Sequence, residues 1–118
     1  HLPEDEESKR LPFAQAATGA IGVETLLPLS LELYHNESLP LNKIIETLTI
    51  NPAKILKIKK GSLKVGSDGD ICIFDLEAPW AVQAEKLKSK SKNTAIEGRK
   101  LQGKILMTFL NGKLVFNQ

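Results

Sequence analysis

The chain is 118 residues long, 42% hydrophobic and 25% charged, with a formal net charge of +2. That length leaves room for one modest domain, and the apolar fraction argues against wholesale disorder. The small net charge and an aromatic content of 5% give no reason to propose a nucleic-acid partner, since neither a strong phosphate-seeking field nor a base-stacking surface is encoded.

Residues 1–22 carry no hydrophobic period. Glu4, Asp5, Glu6 and Glu7 are followed by Lys9 and Arg10, then by Pro12, Gly19 and Gly22. The segment reads as a long loop with one helical turn near Phe13 to Ala17. A loop longer than about 15 residues is commonly functional or disordered. Gly19 and Gly22 lie among small residues and let the backbone approach a ligand. The chain opens on His1-Leu2-Pro3 without an initiator Met, so the expectation is a piece of a longer protein.

Residues 23–36 are predicted helical, with Val23, Leu26, Leu27, Leu29, Leu31, Leu33 and Tyr34 forming a broad apolar surface. Pro28 falls early enough to be tolerated or to kink the helix, and Asn36 is a plausible stop. Residues 41–49 form a second helix with Ile44, Ile45 and Leu48 inward and Asn42, Lys43 and Glu46 outward. A third is predicted over 52–59, with Asn51 as N-cap, Pro52 at its start and Gly61 just past its end. Gly66 and Gly69 then bracket a polar turn. Ile71, Cys72, Ile73 and Phe74 make an unbroken apolar run, as expected of a strand covered on both faces.

Cys72 is the single cysteine, so no internal disulfide is possible, and its place in an apolar strand predicts a buried, inert thiol. That usage suits a reducing cytoplasm. The two histidines are His1 and His35, and His35 reads as a surface residue at a helix end. Residues 76–103 read as mostly irregular, with Trp80 and Val82 in a short strand. Lys86, Lys88, Lys90, Lys92, Arg99, Lys100 and Lys104 read as a solvated basic loop, because no aromatic residues interleave. Asn111-Gly112 between two apolar runs is a strong hairpin signal. No run approaches the roughly 20 apolar residues of a membrane span. A few strands with open edges are rarely stable alone, so self-association is expected unless other sequence or the helices cover them.

Two stretches resemble a known family. Thr49, Asn51, Pro52, Ala53 and Leu56 fit the pattern T-x-N-P-A-x-x-L of the amidohydrolase superfamily. Gly61, Leu63, Gly66, Asp68, Asp70 and Asp75 fit the segment that follows it there, with Gly69 where Ala is usual. Within that superfamily, Lys9, Pro12-Phe13, Ala16-Ala17, Gly19, Gly22 and Glu24-Thr25 through Leu29 look like the dihydroorotase pattern. Ser89-Lys90, Asn93-Thr94, Gly98, Leu101 and Gly103 resemble that family's late segment, with Ala95 and Ile96 replacing its Pro-Phe.

The resemblance implies an α+β fragment. Residues 1–60 would be the last helices of a TIM-type (β/α)8 barrel, and residues 61–118 the C-terminal strands of a small β-sandwich. It implies a zinc-dependent cyclic amide hydrolase that interconverts N-carbamoyl-L-aspartate and L-dihydroorotate in pyrimidine synthesis. The family's catalytic Asp falls immediately before His1, so this chain alone is expected to be inactive. Glu4 stands at the position of a substrate-binding His. The backbone of Ala16, Ala17, Thr18 and Gly19 corresponds to the loop laid against the substrate ring, with Ala17 where Pro is common. Zinc is expected in the whole protein and no zinc ligand in this chain. Two other readings stay open: a non-catalytic subunit that binds aspartate transcarbamoylase, favoured by Glu4, and a related hydantoinase or allantoinase.

Overall fold

The computed structural model describes residues 6–118. Among the described residues four helices precede three strands: α1 (Glu6–Lys9), α2 (Leu26–His35), α3 (Leu41–Leu48), α4 (Ile50–Ile55), β1 (Ile71–Ala81), β2 (Lys100–Leu110) and β3 (Lys113–Asn117). Short 3-10 turns at Val23–Thr25 and Ala84–Lys86 complete the set. Among the described residues no helix is long and apolar enough to cross a membrane.

Helices α2 and α3 lie where the apolar periodicity puts them. Pro28 occupies the first turn of α2, where its missing N–H deprives the helix of no bond, and it is buried. The helix ends at Asn36, as read, but the left-handed residue is the next one, Glu37, at φ 59°. The Ser38 N–H donates to the Leu33 carbonyl and the Glu37 N–H to Tyr34, each at 2.9 Å, the double bond of a Schellman ending.

The third helix differs from expectation at both ends. It begins at Ile50 after Thr49, not after Asn51, because the Thr49 hydroxyl donates back to the Ile45 carbonyl at 2.6 Å and carries α3 almost directly into α4. Pro52 still falls in the first turn. The helix stops at Ile55 with Lys57, at φ 56°, as its left-handed residue. Gly61 has a different task. A Cβ there would lie 2.8 Å from the Ile50 nitrogen, so this glycine lets the following loop press against the start of α4.

The three strands form one antiparallel sheet in the order β1-β2-β3. Asn111 and Gly112, both at positive φ (49° and 75°), close the two-residue β2–β3 hairpin as read. Strand β1 is longer than expected and runs through Trp80 to Ala81. Pro79 is tolerated because β1 is an edge. Between Asp75 and Pro79 the register shifts, so that Leu76, Glu77 and Ala78 oppose the one residue Gly103. The Asp75 carboxylate holds this bulge by accepting the Glu77 and Ala78 N–H groups at 2.9 and 3.1 Å.

The apolar run 71–74 is not covered on both faces. Ile71, Cys72 and Ile73 are exposed and Phe74 is half-buried, since α2 covers the sheet only near Gly103. Among the described residues the buried apolar side chains are Leu31, Ile44, Ala53, Val82 and Leu101. The core therefore sits where α2 crosses β2 on one side and meets α3 on the other.

Candidate functional site

The loop after α1 is built from its first turn outward. The Pro12 carbonyl accepts the N–H groups of Gln15 (2.7 Å) and Ala16 (2.9 Å), which makes a turn near the expected position. The Ala17 N–H then donates to the Ser8 carbonyl at 3.0 Å and brings the chain back beside α1. There the Lys9 ammonium donates to three successive carbonyls: Ala17 at 2.8 Å, Thr18 at 3.1 Å and Gly19 at 2.6 Å. An ammonium has three N–H donors, and all are used. Gly19 sits at φ 87°, a conformation that suits glycine. Among the described residues, the N–H groups of Thr18, Gly19 and Ala20 meet no acceptor. Ala16 and Ala17 are half-buried, whereas Thr18 and Gly19 are exposed.

The second half of the site comes from far along the chain. The Asn93 side-chain amide donates to the Gly19 carbonyl at 3.2 Å, and the Asn93 backbone carbonyl accepts the Ile21 N–H at 3.3 Å. The hydroxyl of Ser91, a buried residue, is bonded to the Asn93 carboxamide oxygen and fixes its orientation. Beside them the Glu24 carboxylate accepts the backbone N–H groups of Lys88 (2.9 Å) and Ser89 (3.0 Å). The Thr25 hydroxyl donates to the Gly22 carbonyl at 3.2 Å. Residues 88–94 thus strap the loop down. Lys86, Lys88, Lys90 and Lys100 are exposed, as the solvated reading expects, whereas Arg99 pairs with Glu32 at 2.8 Å; what that reading lacks is the contact made to the loop by the backbone and polar side chains of the stretch. Lys92 serves the strap itself by donating to the Leu87 carbonyl at 2.8 Å.

Glu4 and His1 lie outside the described residues. Cys72 lies on β1, away from the loop, and is exposed rather than buried. Partial burial still pushes its thiol pKa up, against a lowering hydrogen bond with Thr108. His35 is at the far end of α2. Its Nε2 is buried without a hydrogen-bond partner, 3.6 Å from Glu77, so it is not the free surface side chain expected. Among the described residues no group of three His, Cys, Asp or Glu side chains is placed to hold a metal, so these residues do not fit a zinc site. An open groove of about 830 Å³ runs from Glu24 and Lys88 past Trp80 and Gly103 to Phe116, but it includes none of residues 16–19.

A polar clamp joins the turn before β1 to the tip of the β2–β3 hairpin. Lys60 donates to Asp68 (2.7 Å) and Asp70 (2.5 Å), and the second Asp70 oxygen accepts the Asn111 N–H at 2.8 Å. The Gly112 N–H donates to the Gly69 carbonyl at 2.9 Å. This pins the glycine-bracketed turn to the hairpin tip. Its groups satisfy one another, so it reads as a structural junction.

Lys9, Glu24 and Asn93 were visible only as members of motifs, without roles. The motifs were themselves the signal, and folding brings both of them into one network.

Residues 12–115 match the amidohydrolase family. The chain is 45% identical over 98% of its length to a dihydroorotase of Ehrlichia chaffeensis, and 41% identical over 98% to one of Geobacter. It spans about a quarter of the length of these relatives (26% and 27%). Among solved structures it is similar to a D-hydantoinase (TM-score 0.86, 27% identity, 95% of this chain and 25% of that one). It is also similar to an L-hydantoinase from Arthrobacter aurescens (TM-score 0.80, 34% identity, 88% and 24%).

Proposed function

The chain belongs to the amidohydrolase family, and from that premise we propose that it is the C-terminal part of a dihydroorotase-type cyclic amide hydrolase. The observation that carries this reading is similarity to dihydroorotases along nearly the whole chain. The geometry supports it, because the residues of both dihydroorotase-like motifs meet around one loop. In this reading residues 1–60 close a catalytic barrel and residues 61–118 contribute to a neighbouring β-sandwich. The reaction is the reversible cyclisation of N-carbamoyl-L-aspartate to L-dihydroorotate, a step of pyrimidine synthesis, and the location proposed with it is the cytoplasm. Zinc, in this proposal, is held by residues outside this chain, and we assign it no ligand here. The chain's own contribution is binding: the loop at Ala16, Ala17, Thr18 and Gly19 lies against the ring, and Glu4 stands in the sequence where the family has a substrate-binding His.

The test is turnover by the full polypeptide that carries this chain, supplied in parallel with L-dihydroorotate, hydantoin and dihydrouracil. Hydrolysis of L-dihydroorotate in preference to the others, lost on chelation and restored by zinc, is the expected result. Preference for hydantoin or dihydrouracil overturns it in favour of the hydantoinase reading. No turnover, together with co-purification of aspartate transcarbamoylase, favours the non-catalytic subunit.

A further inference from the structure

Among the described residues, one buried side-chain nitrogen meets no hydrogen-bond partner, and it is the Nε2 of His35. The Glu77 carboxylate stands 3.6 Å away, beyond hydrogen-bond reach. Neither neutral form of the ring resolves this. With the proton on Nδ1, the Nε2 lone pair faces a carboxylate oxygen, and both are acceptors. With the proton on Nε2, the donor is still too far from the oxygen. The surroundings suit the charged ring better. His35 is the last residue of α2, where unpaired carbonyls favour a cation. Glu77 lies in the β1 bulge, whose backbone Asp75 holds. Its side chain is 65% exposed and can move the remaining distance, and the His35 side chain keeps 17% of its surface, enough to exchange a proton with water.

The other charged groups on the elements around His35 are engaged elsewhere or open to water. On α2, Glu32 pairs with Arg99 at 2.8 Å, and on α3, Lys43 pairs with Glu46 at 2.9 Å. The Asp75 carboxylate on β1 accepts two bulge N–H groups, and that of Glu24 accepts two from the strap. Glu37 and Lys100 are exposed, and Lys104 lines the groove. The Tyr34 ring meets the imidazole edge-on at 5.3 Å. We propose that His35 and Glu77 form a proton-operated latch. The imidazole takes a proton from water, its Nε2–H donates to the Glu77 carboxylate, and the end of α2 is tied to the β1 bulge. Loss of the proton to water opens the tie. The latch joins the helical layer to the sheet and does not depend on which reaction the polypeptide catalyses. It needs His35 charged and Glu77 ionised. Its contribution is therefore present near pH 5 and is lost as pH rises through about 5 to 8, where histidine side chains change charge.

The experiment is hydrogen exchange on the full polypeptide that carries this chain, read from peptides covering residues 33–39 and 74–81. Wild type and Glu77→Gln are compared at about pH 5.5 and again at about pH 8.5, the approximate ends of the histidine range. Comparison at one pH cancels the intrinsic pH dependence of exchange. Glu77→Gln is expected to speed exchange of both peptides about threefold at the lower pH and by less than about 1.5-fold at the higher, the size of effect that a partly exposed ion pair gives. In a His35→Asn background the same substitution is expected to change neither peptide at either pH. Equal acceleration at the two pH values makes the contact merely structural and overturns the latch. So does the absence of acceleration at pH 5.5, or a Glu77→Gln effect that survives in His35→Asn. Should His35→Asn not fold, the comparison at two pH values stands on Glu77→Gln alone, since that side chain is largely exposed.

Discussion

Gly103 shows how one missing side chain sets a packing distance. It is buried at φ 101°, opposite the β1 bulge, and a Cβ there would lie 2.5 Å from the Leu31 Cδ1. Its carbonyl accepts the Trp80 indole N–H at 3.0 Å. Gly103→Ala should therefore cost about 3 kcal/mol, combining overpacking with backbone strain. Trp80 is the only tryptophan, so a denaturant titration followed by its fluorescence reads this contact directly. Glu37 and Lys57 present the opposite case. Both are exposed non-glycine residues in the left-handed region that ends a helix. Glu37→Gly and Lys57→Gly should each stabilise by about 0.5–1 kcal/mol, the relief of left-handed strain less the greater entropy that glycine loses. Thermal melts of the two variants check this, and a lowered melting temperature in both would contradict it.

At the scale of elements, the clamp between the turn at 66–69 and the β2–β3 hairpin is ionic and responds to pH. The Asn111 N–H and then Lys60 hold the Asp70 carboxyl below its ordinary pKa of 3.8. A carboxylate whose folded pKa is depressed gives stability that is fully present above the unfolded value and is lost as pH falls through the folded one. The hydrogen bonds to Asp68 and Asp70 raise Lys60 above 10.5, so its contribution is present below that pH and is lost as pH rises through the folded value. Melting temperature should accordingly fall on acidification from about pH 4 downward, and Asp70→Asn should flatten that limb. A wild-type acid profile in Asp70→Asn would remove the clamp as its cause. The strap at residues 88–94 depends on Glu24, whose carboxylate accepts two backbone N–H groups. Glu24→Ala should cost about 1–2 kcal/mol, since the carboxylate is only half-buried. It should also expose the strap to proteolysis ahead of the sheet, which timed digestion with mass spectrometry detects.

The whole molecule is extended for its length. Its radius of gyration is 16.5 Å, against about 13.5 Å for a compact domain of this size. Its accessible surface is 8936 Å², where about 6,300 Å² is usual. The apolar content that the composition assigned to a core is largely at the surface: Ile71, Ile73, Met107, Leu114, Val115 and Phe116 are all exposed. Isolated in solution, the chain should associate through this sheet, with a light-scattering mass that rises with concentration. Val115→Lys on the outer strand should weaken that association by placing a charge on an open edge. A mass that stays monomeric at all concentrations would contradict the expectation.

The sequence by itself determined whatever depends on neighbouring residues. Helical periodicity placed α2 and α3, because residues three and four apart share a face whatever else the chain does. Asn111-Gly112 determined the hairpin, because a two-residue turn of type I′ needs positive φ at both positions and Asn-Gly supplies it. The motif spellings determined the family. Only the tertiary structure decided what meets across long separations. Glu24 reaches Ser89 over 65 positions and Asn93 reaches Gly19 over 74, and nothing local records either pairing. The tertiary structure also decided that the run at 71–74 is exposed, since an apolar sequence states what its side chains prefer and not what is present to cover them. The boundary of α4 shifted for a related reason: Asn51 and Gly61 are good ending residues, but the bond from Thr49 to Ile45 and the pressure of residue 61 on Ile50 settled where the helix starts and what the glycine is for.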